Sequence, residues 1–260
     1  MPFTFAHPAA VLPLRRFRSL HMAALMVGSI APDLPYYVPA RYNRLMLETH
    51  TAMGTLYLDI PIGLATLLFC FLLRRPLAVL MTPRARSLYL QSMERFKEEP
   101  RNWLWAPLAI YIGAWAHIVW DAFTHDSGWA VRRIAALSAP ITIGDYTGTL
   151  CHILQYVSSV AGLLILAIWY FKLRTPSPLE QPNTVVVSAS ARIAALVLVF
   201  TIAIAIGGFI ALRVAYGGGS NYRVIYLLLT RSIAWFGLLY LAAGLLFVFV
   251  RRKPEPLAEI

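Results

Sequence analysis

Gly113-Ala-Trp-Ala-His-Ile-Val-Trp-Asp-Ala-Phe-Thr-His125 is apolar enough to lie in a membrane, yet it carries imidazole, carboxylate and imidazole at i, i+4 and i+8. On an α-helix each such step drifts only about 40°, so His117, Asp121 and His125 share one face. An isolated carboxylate near the middle of a bilayer costs roughly 2.5–3.5 kcal/mol even on insertion scales. Something must compensate it, and a bound metal ion would.

The surrounding chain has the composition of a membrane protein. Of its 260 residues 59% are apolar and 13% charged, against about 25% charged in an average soluble protein. Five apolar blocks are long enough to cross a bilayer: 55–73, 103–120, 151–171, 193–212 and 232–250. Each is bounded by charge or by Pro and Gly. Trp103, Trp105, Trp120, Trp169 and Tyr170 lie near block ends, where interfacial aromatic residues belong. The expected fold class is all-α: a polytopic membrane helix bundle of five spanning helices plus an N-terminal helical hairpin.

The net charge of +11 raises a nucleic-acid partner, and its distribution argues against one. Arg74, Arg75, Arg84 and Arg86 follow the first block, Lys172 and Arg174 the third, and Arg251, Arg252 and Lys253 the last. This is the positive-inside pattern. It puts loops 74–101 and 172–192 and the C-terminus in the cytoplasm, and loops 124–149 and 213–223 outside. Arg132, Arg133, Arg213 and Arg223 run against the rule. Cys70 and Cys151 fall in apolar blocks and read as free thiols packed as small apolar residues. The N-terminus shows neither a basic leader nor a small-residue cleavage site, so no signal peptide is expected.

The first fifty residues hold two apolar legs of about a dozen residues, 3–14 and 20–30, separated by Arg15, Arg16 and Arg18. Each makes roughly 18 Å of helix, too short to span alone. A hairpin inserted partway or tilted against the bundle is expected, with His7 and Asp33 returning together to one end. Residues 1–174 then form a membrane domain carrying nearly all the buried polar groups. A Pro-rich cytoplasmic linker at 175–192, a C-terminal transmembrane pair at 193–250 and a cytoplasmic tail at 251–260 complete the chain. Gly217-Gly-Gly-Ser-Asn221 reads as a flexible external turn. No internal repeat has a convincing period, which argues against a transporter built from inverted repeats.

The expected topology gathers ligand-type side chains. His50 immediately precedes the first block, which starts outside. Asp121 and His125 lie at the outer end of the second, and Asp33 and His7 join them through the hairpin. His117 sits about a turn deeper. Imidazole nitrogen and carboxylate oxygen suit zinc and other divalent first-row metals. Gly113 and Gly54, each one turn from a histidine, would let a neighbouring helix approach. Plainer readings stand beside this one. His117 and Asp121 could be a buried pair pinning two helices. Ala31-Pro32-Asp33 could start the next element, and His7-Pro8 could open a helix. His21 and His152, with no carboxylate at i±4, read as packed histidines. Asp59, roughly opposite His50, reads as a neighbour of the ligands or an arginine's partner. Gln155, Ser158, Ser159 and Gly162 read as a polar helix-packing face.

Several stretches carry a resemblance: Met1-Pro-Phe-Thr-Phe-Ala-His7-Pro-Ala-Ala-Val-Leu-Pro-Leu14, Gly28-Ser-Ile-Ala-Pro-Asp33, His50-Thr-Ala-Met-Gly54 and 117–125. Over at least residues 1–162 the chain resembles a bacterial membrane family known as the domain of unknown function 4184. That family brings no established activity with it. It implies the inner (plasma) membrane of a bacterium. More distantly, the order His, Asp, His, His-x-x-x-Asp, His is similar to zinc-dependent phospholipase C and to membrane-bound metal-dependent hydrolases. That resemblance implies His7, His50, His117, Asp121 and His125 as metal ligands and Asp33 as ligand or general base. The chain departs from it in two ways. The later His-x-x-x-Glu is missing, because Tyr156 follows His152, and the N-terminal Trp ligand is absent.

The function these readings point to is a membrane-embedded hydrolase with one or two divalent metals, zinc foremost. It would act on a phosphoester, lipid or lipid-linked, at the outer membrane–water interface. The alternative is a non-catalytic integral membrane protein whose His/Asp cluster is structural or binds metal without catalysis. Transport ranks lowest, because the polar residues gather at one depth.

Overall fold

The computed structural model describes residues 3–17, 19–38, 43–144, 146–174 and 187–250. Arg18, most of the expected linker and the whole C-terminal tail, with its Arg251, Arg252 and Lys253, lie outside them. In chain order the helices are α1 (Pro8–Val11), α2 (Met22–Ile30), α3 (Leu34–Tyr37), α4 (Asn43–Glu48), α5 (Ile60–Leu72), α6 (Arg74–Val79), α7 (Pro83–Glu98), α8 (Pro100–Thr124), α9 (Leu150–Lys172), α10 (Ala189–Tyr216) and α11 (Asn221–Val250). The protein is an all-α helical bundle. Five helices are long and apolar enough to cross a membrane: Thr55–Leu72, Pro100–Thr124, Leu150–Lys172, Ala189–Tyr216 and Asn221–Val250. They cover the five blocks expected from sequence, and they make this an integral membrane protein. Their outward faces are apolar, as lipid contact requires: Val157, Val160, Leu164, Ile168 and Phe171 on α9 are all exposed.

Two compact units form. The first comprises Met1–Pro35, Arg41–Leu68 and Phe96–Arg174, and the second Tyr36–Ala40, Phe69–Arg95 and Thr175–Ile260. Within the first, α8 is the central element. Its Ala106, Ala109, Ile110, Gly113, Ala114, His117 and Asp121 form a buried stripe at helical spacing, small at the start and polar at the end. The helix α2 crosses this stripe where two glycines meet it. A Cβ on Gly28 would run into the backbone of Ile110, and one on Gly113 into the Leu25 carbonyl. Side chains there would hold the helices apart, so backbone-to-backbone approach depends on both glycines. The core around the crossing is Val11, Ala24, Leu25, Leu67, Phe96, Ala106, Ala109 and Ile110.

The N-terminal hairpin is present in altered form. Its first leg is broken into a 3-10 turn Thr4–Ala6, the single turn α1 and a second 3-10 stretch Leu12–Arg16. Pro8 and Pro13 account for the breaks, because each removes an N–H donor from the helix ladder. The leg packs on α2, α8 and α9. The span that begins at Thr55 opens with a π-helical turn, Thr55–Asp59, before α5 continues it. The helix α8 stops where His125 turns extended (φ −121°, ψ 140°). Gly128, whose Cβ would strike the Ala122 backbone, lets the chain fold back there.

Two features of the loops exceed the sequence reading. Residues 140–149 hold a short antiparallel hairpin, Pro140–Ile143 with Tyr146–Thr149, turning at Gly144, whose φ of +58° favours glycine. Residues 74–98, read as a loop, are mostly helical: α6 and then the polar helix α7. In the second unit α6 packs on α11, with the Tyr240 hydroxyl donating to the Leu77 carbonyl at 2.8 Å. There Gly244 lies against the Pro76 carbonyl, and α10 pairs with α11.

Candidate metal centre

The six residues expected from sequence come from four places in the first unit: the turn before α1 (His7), the 3-10 turn Ala31–Asp33, the loop after α4 (His50), and the end of α8 (His117, Asp121, His125). His7, Asp33 and His117 are fully buried, Asp121 nearly so, and His50 is partly open. His7, Asp33 and His117 each offer a ligand atom within 4.8 Å of the other two, and so do His50, His117 and Asp121.

The four atoms around His117 are arranged as a ring. His117 Nε2 lies 3.6 Å from Asp33 Oδ1 and 3.3 Å from Asp121 Oδ2. His50 Nε2 lies 3.5 Å from the same Asp33 oxygen and 3.8 Å from the same Asp121 oxygen. The other Asp121 oxygen, Oδ1, faces His7 Nε2 at 3.1 Å. Asp121 therefore turns one oxygen to each of two groups.

The tautomers follow from the backbone. His7 Nδ1 lies 3.2 Å from the Thr4 carbonyl, His50 Nδ1 2.9 Å from that of Met46, His117 Nδ1 2.8 Å from that of Ser29, and His125 Nδ1 3.2 Å from that of Asp121. A carbonyl only accepts, so each Nδ1 carries the hydrogen and donates it. Each neutral ring then presents Nε2 as a lone pair. This is how metal-ligating histidines are commonly oriented. The rings of His7 and His117 stack at 3.8 Å with an 18° interplanar angle, a contact that two imidazolium charges would oppose.

Asp33 is held in the same way. Its Oδ2 accepts from the Thr4 hydroxyl at 2.7 Å, while Oδ1 is buried without a hydrogen-bond partner, as is His117 Nε2. Burial alone would raise the Asp33 carboxyl. In acid, where the facing imidazoles are protonated, the charge of His117, the neighbouring His50 and the charge of His7 outweigh it and hold the group below the usual carboxylate range. His125 stands apart from both trios. Its Nδ1 edge is held against Asp121, 3.7 Å from Oδ1, and burial lowers its pKa.

Other expectations find their places. His21 caps α2 by accepting from the Ala23 N–H and packs edge-on against Phe96. The polar face of α9 receives the Trp120 indole on Ser158, the Phe3 N–H on Ser159, and Ala6 on Gly162. Gly113 admits α2, as the spacing suggested. Gly54 instead abuts the Glu48 carbonyl in its own loop, because the chain turns tightly there. His152 has a carboxylate partner far in sequence, Asp126, at 2.9 Å, and Asp126 also accepts from Cys151. These bonds hold Asp126 below its ordinary pKa, the Cys151 bond most of all. Thr4 carried no sequence signal as a partner of Asp33. Asp59, read as a neighbour of the ligands or an arginine's partner, is fully buried and makes no ion pair with an arginine among the described residues.

Fold and site together define a polytopic α-helical membrane protein with a buried His/Asp centre. The chain belongs to the family described as domain of unknown function 4184, whose model matches residues 1–249. The match takes in the C-terminal helices as well as the centre. No curated protein and no solved structure matches the chain.

Proposed function

We propose that this protein is a membrane-embedded metal-dependent hydrolase acting on a phosphoester, lipid or lipid-linked, with zinc as the preferred ion. One observation carries the reading: Asp33 Oδ1 and His117 Nε2 are buried, lack hydrogen-bond partners and lie 3.6 Å apart. Lone pairs so placed repel unless a proton or a metal cation lies between them. Two ligands on a tetrahedral ion with bonds of about 2.0–2.1 Å stand about 3.3 Å apart. The four His–Asp separations of 3.3–3.8 Å around the ring of His50, Asp33, His117 and Asp121 approach that spacing. His50, His117, Asp33 and Asp121 would hold the ion, with His7 on the far oxygen of Asp121 and His125 beside it.

A divalent cation there supplies Lewis acidity and brings the pKa of water towards neutrality. The chain's own groups do the rest. Ser29, Met46 and Thr4 carbonyls fix the imidazoles. Asp33 Oδ1 faces the cation position, and Oδ2, steadied by Thr4, is where a proton from the attacking water would be held. His50 marks the open side through which a headgroup would reach the centre. The positive-inside pattern of Arg74, Arg75, Arg84 and Arg86 supports an inner-membrane protein with its C-terminus in the cytoplasm and this centre at the outer interface. The depth and the order of ligand-type residues, similar to that of phospholipase C, support a lipid phosphoester as substrate.

Elemental analysis of purified wild type and His117→Ala tests the proposal, together with headgroup release from phospholipid vesicles. Stoichiometric zinc lost in the variant, with release lost alongside it, is expected. Wild type without stoichiometric metal would sink it. The non-catalytic alternative has one observation in its favour: every His–Asp separation here is also within ion-pair range, so protons could lock the helices.

A further inference from the structure

A second group of ligand-type side chains lies where α8 gives way to α9. Residues 125–149 fold back there around a small core of Ala122, Ala130, Val131, Leu137 and Cys151. The Val131 N–H donates to the Ala122 carbonyl at 3.3 Å, and the Leu150 N–H to that of Ala139 at 3.1 Å. Cys151 is fully buried, as a thiol packed like a small apolar residue should be. That reading accounts for its burial and not for what the sulfur touches. Cys151 Sγ lies 3.3 Å from Asp126 Oδ1 and 3.0 Å from Thr149 Oγ1. His152 Nε2 lies 2.9 Å from the other Asp126 oxygen. One atom from each of Asp126, Cys151 and His152 stands within 4.8 Å of the other two.

Thiolate, imidazole and carboxylate are the side-chain ligands of protein zinc sites. On one tetrahedral ion with the usual bond lengths, sulfur and oxygen ligands stand about 3.6 Å apart and nitrogen and oxygen ligands about 3.3 Å. The observed 3.3 and 2.9 Å are slightly shorter. The Asp126 side chain is exposed (65%) and can swing back to admit an ion, while the first turn of α9 places Cys151 and His152 side by side. Entry of the ion replaces the thiol proton, which leaves to solvent past Asp126. The group shares no residue with the His/Asp centre, and it joins the end of α8 to the start of α9.

We infer that Asp126, Cys151 and His152 form a separate zinc site, with water as the fourth ligand, that clips the connection between α8 and α9. The test uses full-length protein in detergent, stripped with a chelator under reducing conditions and titrated with cobalt(II). A thiolate bound to cobalt gives a charge-transfer band in the near ultraviolet. The His/Asp centre offers only imidazole and carboxylate and adds nothing to that band, so the outcome does not depend on whether that centre takes metal. Wild type is expected to show the band and to lose it when zinc displaces the cobalt. Cys151→Ser is expected to lack it, and Cys70→Ser, whose thiol lies on α5, to keep it. Asp126→Asn, at an exposed position, is expected to bind this cobalt about 10–100-fold more weakly. No band in wild type overturns the site with no variant needed. A band that persists in Cys151→Ser, or an affinity unchanged in Asp126→Asn, overturns the assignment of its ligands.

Discussion

Asp121→Asn separates a metal centre from a proton-held lock by the sign of a melting shift. In the metal-free protein Asp121 Oδ1 stands 3.1 Å from His7 Nε2, and Oδ2 stands 3.3 Å from His117 Nε2. If the imidazoles are neutral with Nε2 bare, the carboxylate faces lone pairs and gains little. An amide nitrogen at the Oδ2 position can donate to His117 Nε2, which lacks a hydrogen-bond partner. One such bond is worth about 1 kcal/mol, or about 2–4 °C for a domain of 150–250 residues. If the centre binds zinc as proposed, zinc at 100 times its dissociation constant would stabilise the wild type by about 2.7 kcal/mol, or about 5–11 °C on the same scale. The variant should lose that increment. A lock of imidazolium and carboxylate predicts the reverse, because breaking a buried ion pair costs about 3–5 kcal/mol, or about 6–20 °C. The assay is tryptophan-fluorescence melting in detergent, with chelator and with zinc. Metal-free Asp121→Asn melting 6 °C or more below metal-free wild type would refute the neutral-imidazole argument and favour the structural alternative.

Two further outcomes follow from the same geometry. Gly113→Leu places a Cβ against the Leu25 carbonyl and 2.7 Å from the Ser29 nitrogen. Overpacking of this kind costs about 1–3 kcal/mol. By shifting the Ser29 carbonyl off His117 it should also weaken zinc binding about 10–100-fold. Unchanged zinc titration in folded Gly113→Leu would show that the ring needs no backbone anchor. The metal-free protein should keep its fold down to the carboxylate range. The Asp33 carboxyl is held below its ordinary value, so its contribution is present above the unfolded pKa of about 3.9 and lost as pH falls through the lower folded value. Circular dichroism against pH checks this, and His117→Ala should move the acid transition upward. A wild-type transition above pH 5 contradicts it.

The spans were legible because lipid demands apolar blocks of fixed length, and 55–73 and 151–171 differ from their helices only at the ends. The stripe of His117, Asp121 and His125 was legible because helical spacing is local. That His7, Asp33 and His50 join it depended on chain direction alone: a hairpin and the start of a span must return to one end. Tautomers were not legible, because they depend on which carbonyl lies 2.8–3.2 Å away, and Thr4, Ser29, Met46 and Asp121 supply those carbonyls through tertiary packing or local turns. The helix α7 was missed because its polarity reads as loop when hydrophobic blocks are the guide.

Asp59 shows why periodicity misleads at such a place. Counted at 100° per residue, it lies roughly opposite His50. His50 is not on that helix at all: it lies before it, in a loop. The span then opens with a π-turn, whose five residues advance less per residue than an α-helix does. Both departures shift which face Asp59 presents, and neither leaves a mark on the pattern of apolar residues. A carboxylate that a regular helix would have turned away from the histidines is thereby carried into their field. The unpaired oxygens record that the chain tolerates the cost, and under the proposed function a cation bound at the centre would offset it.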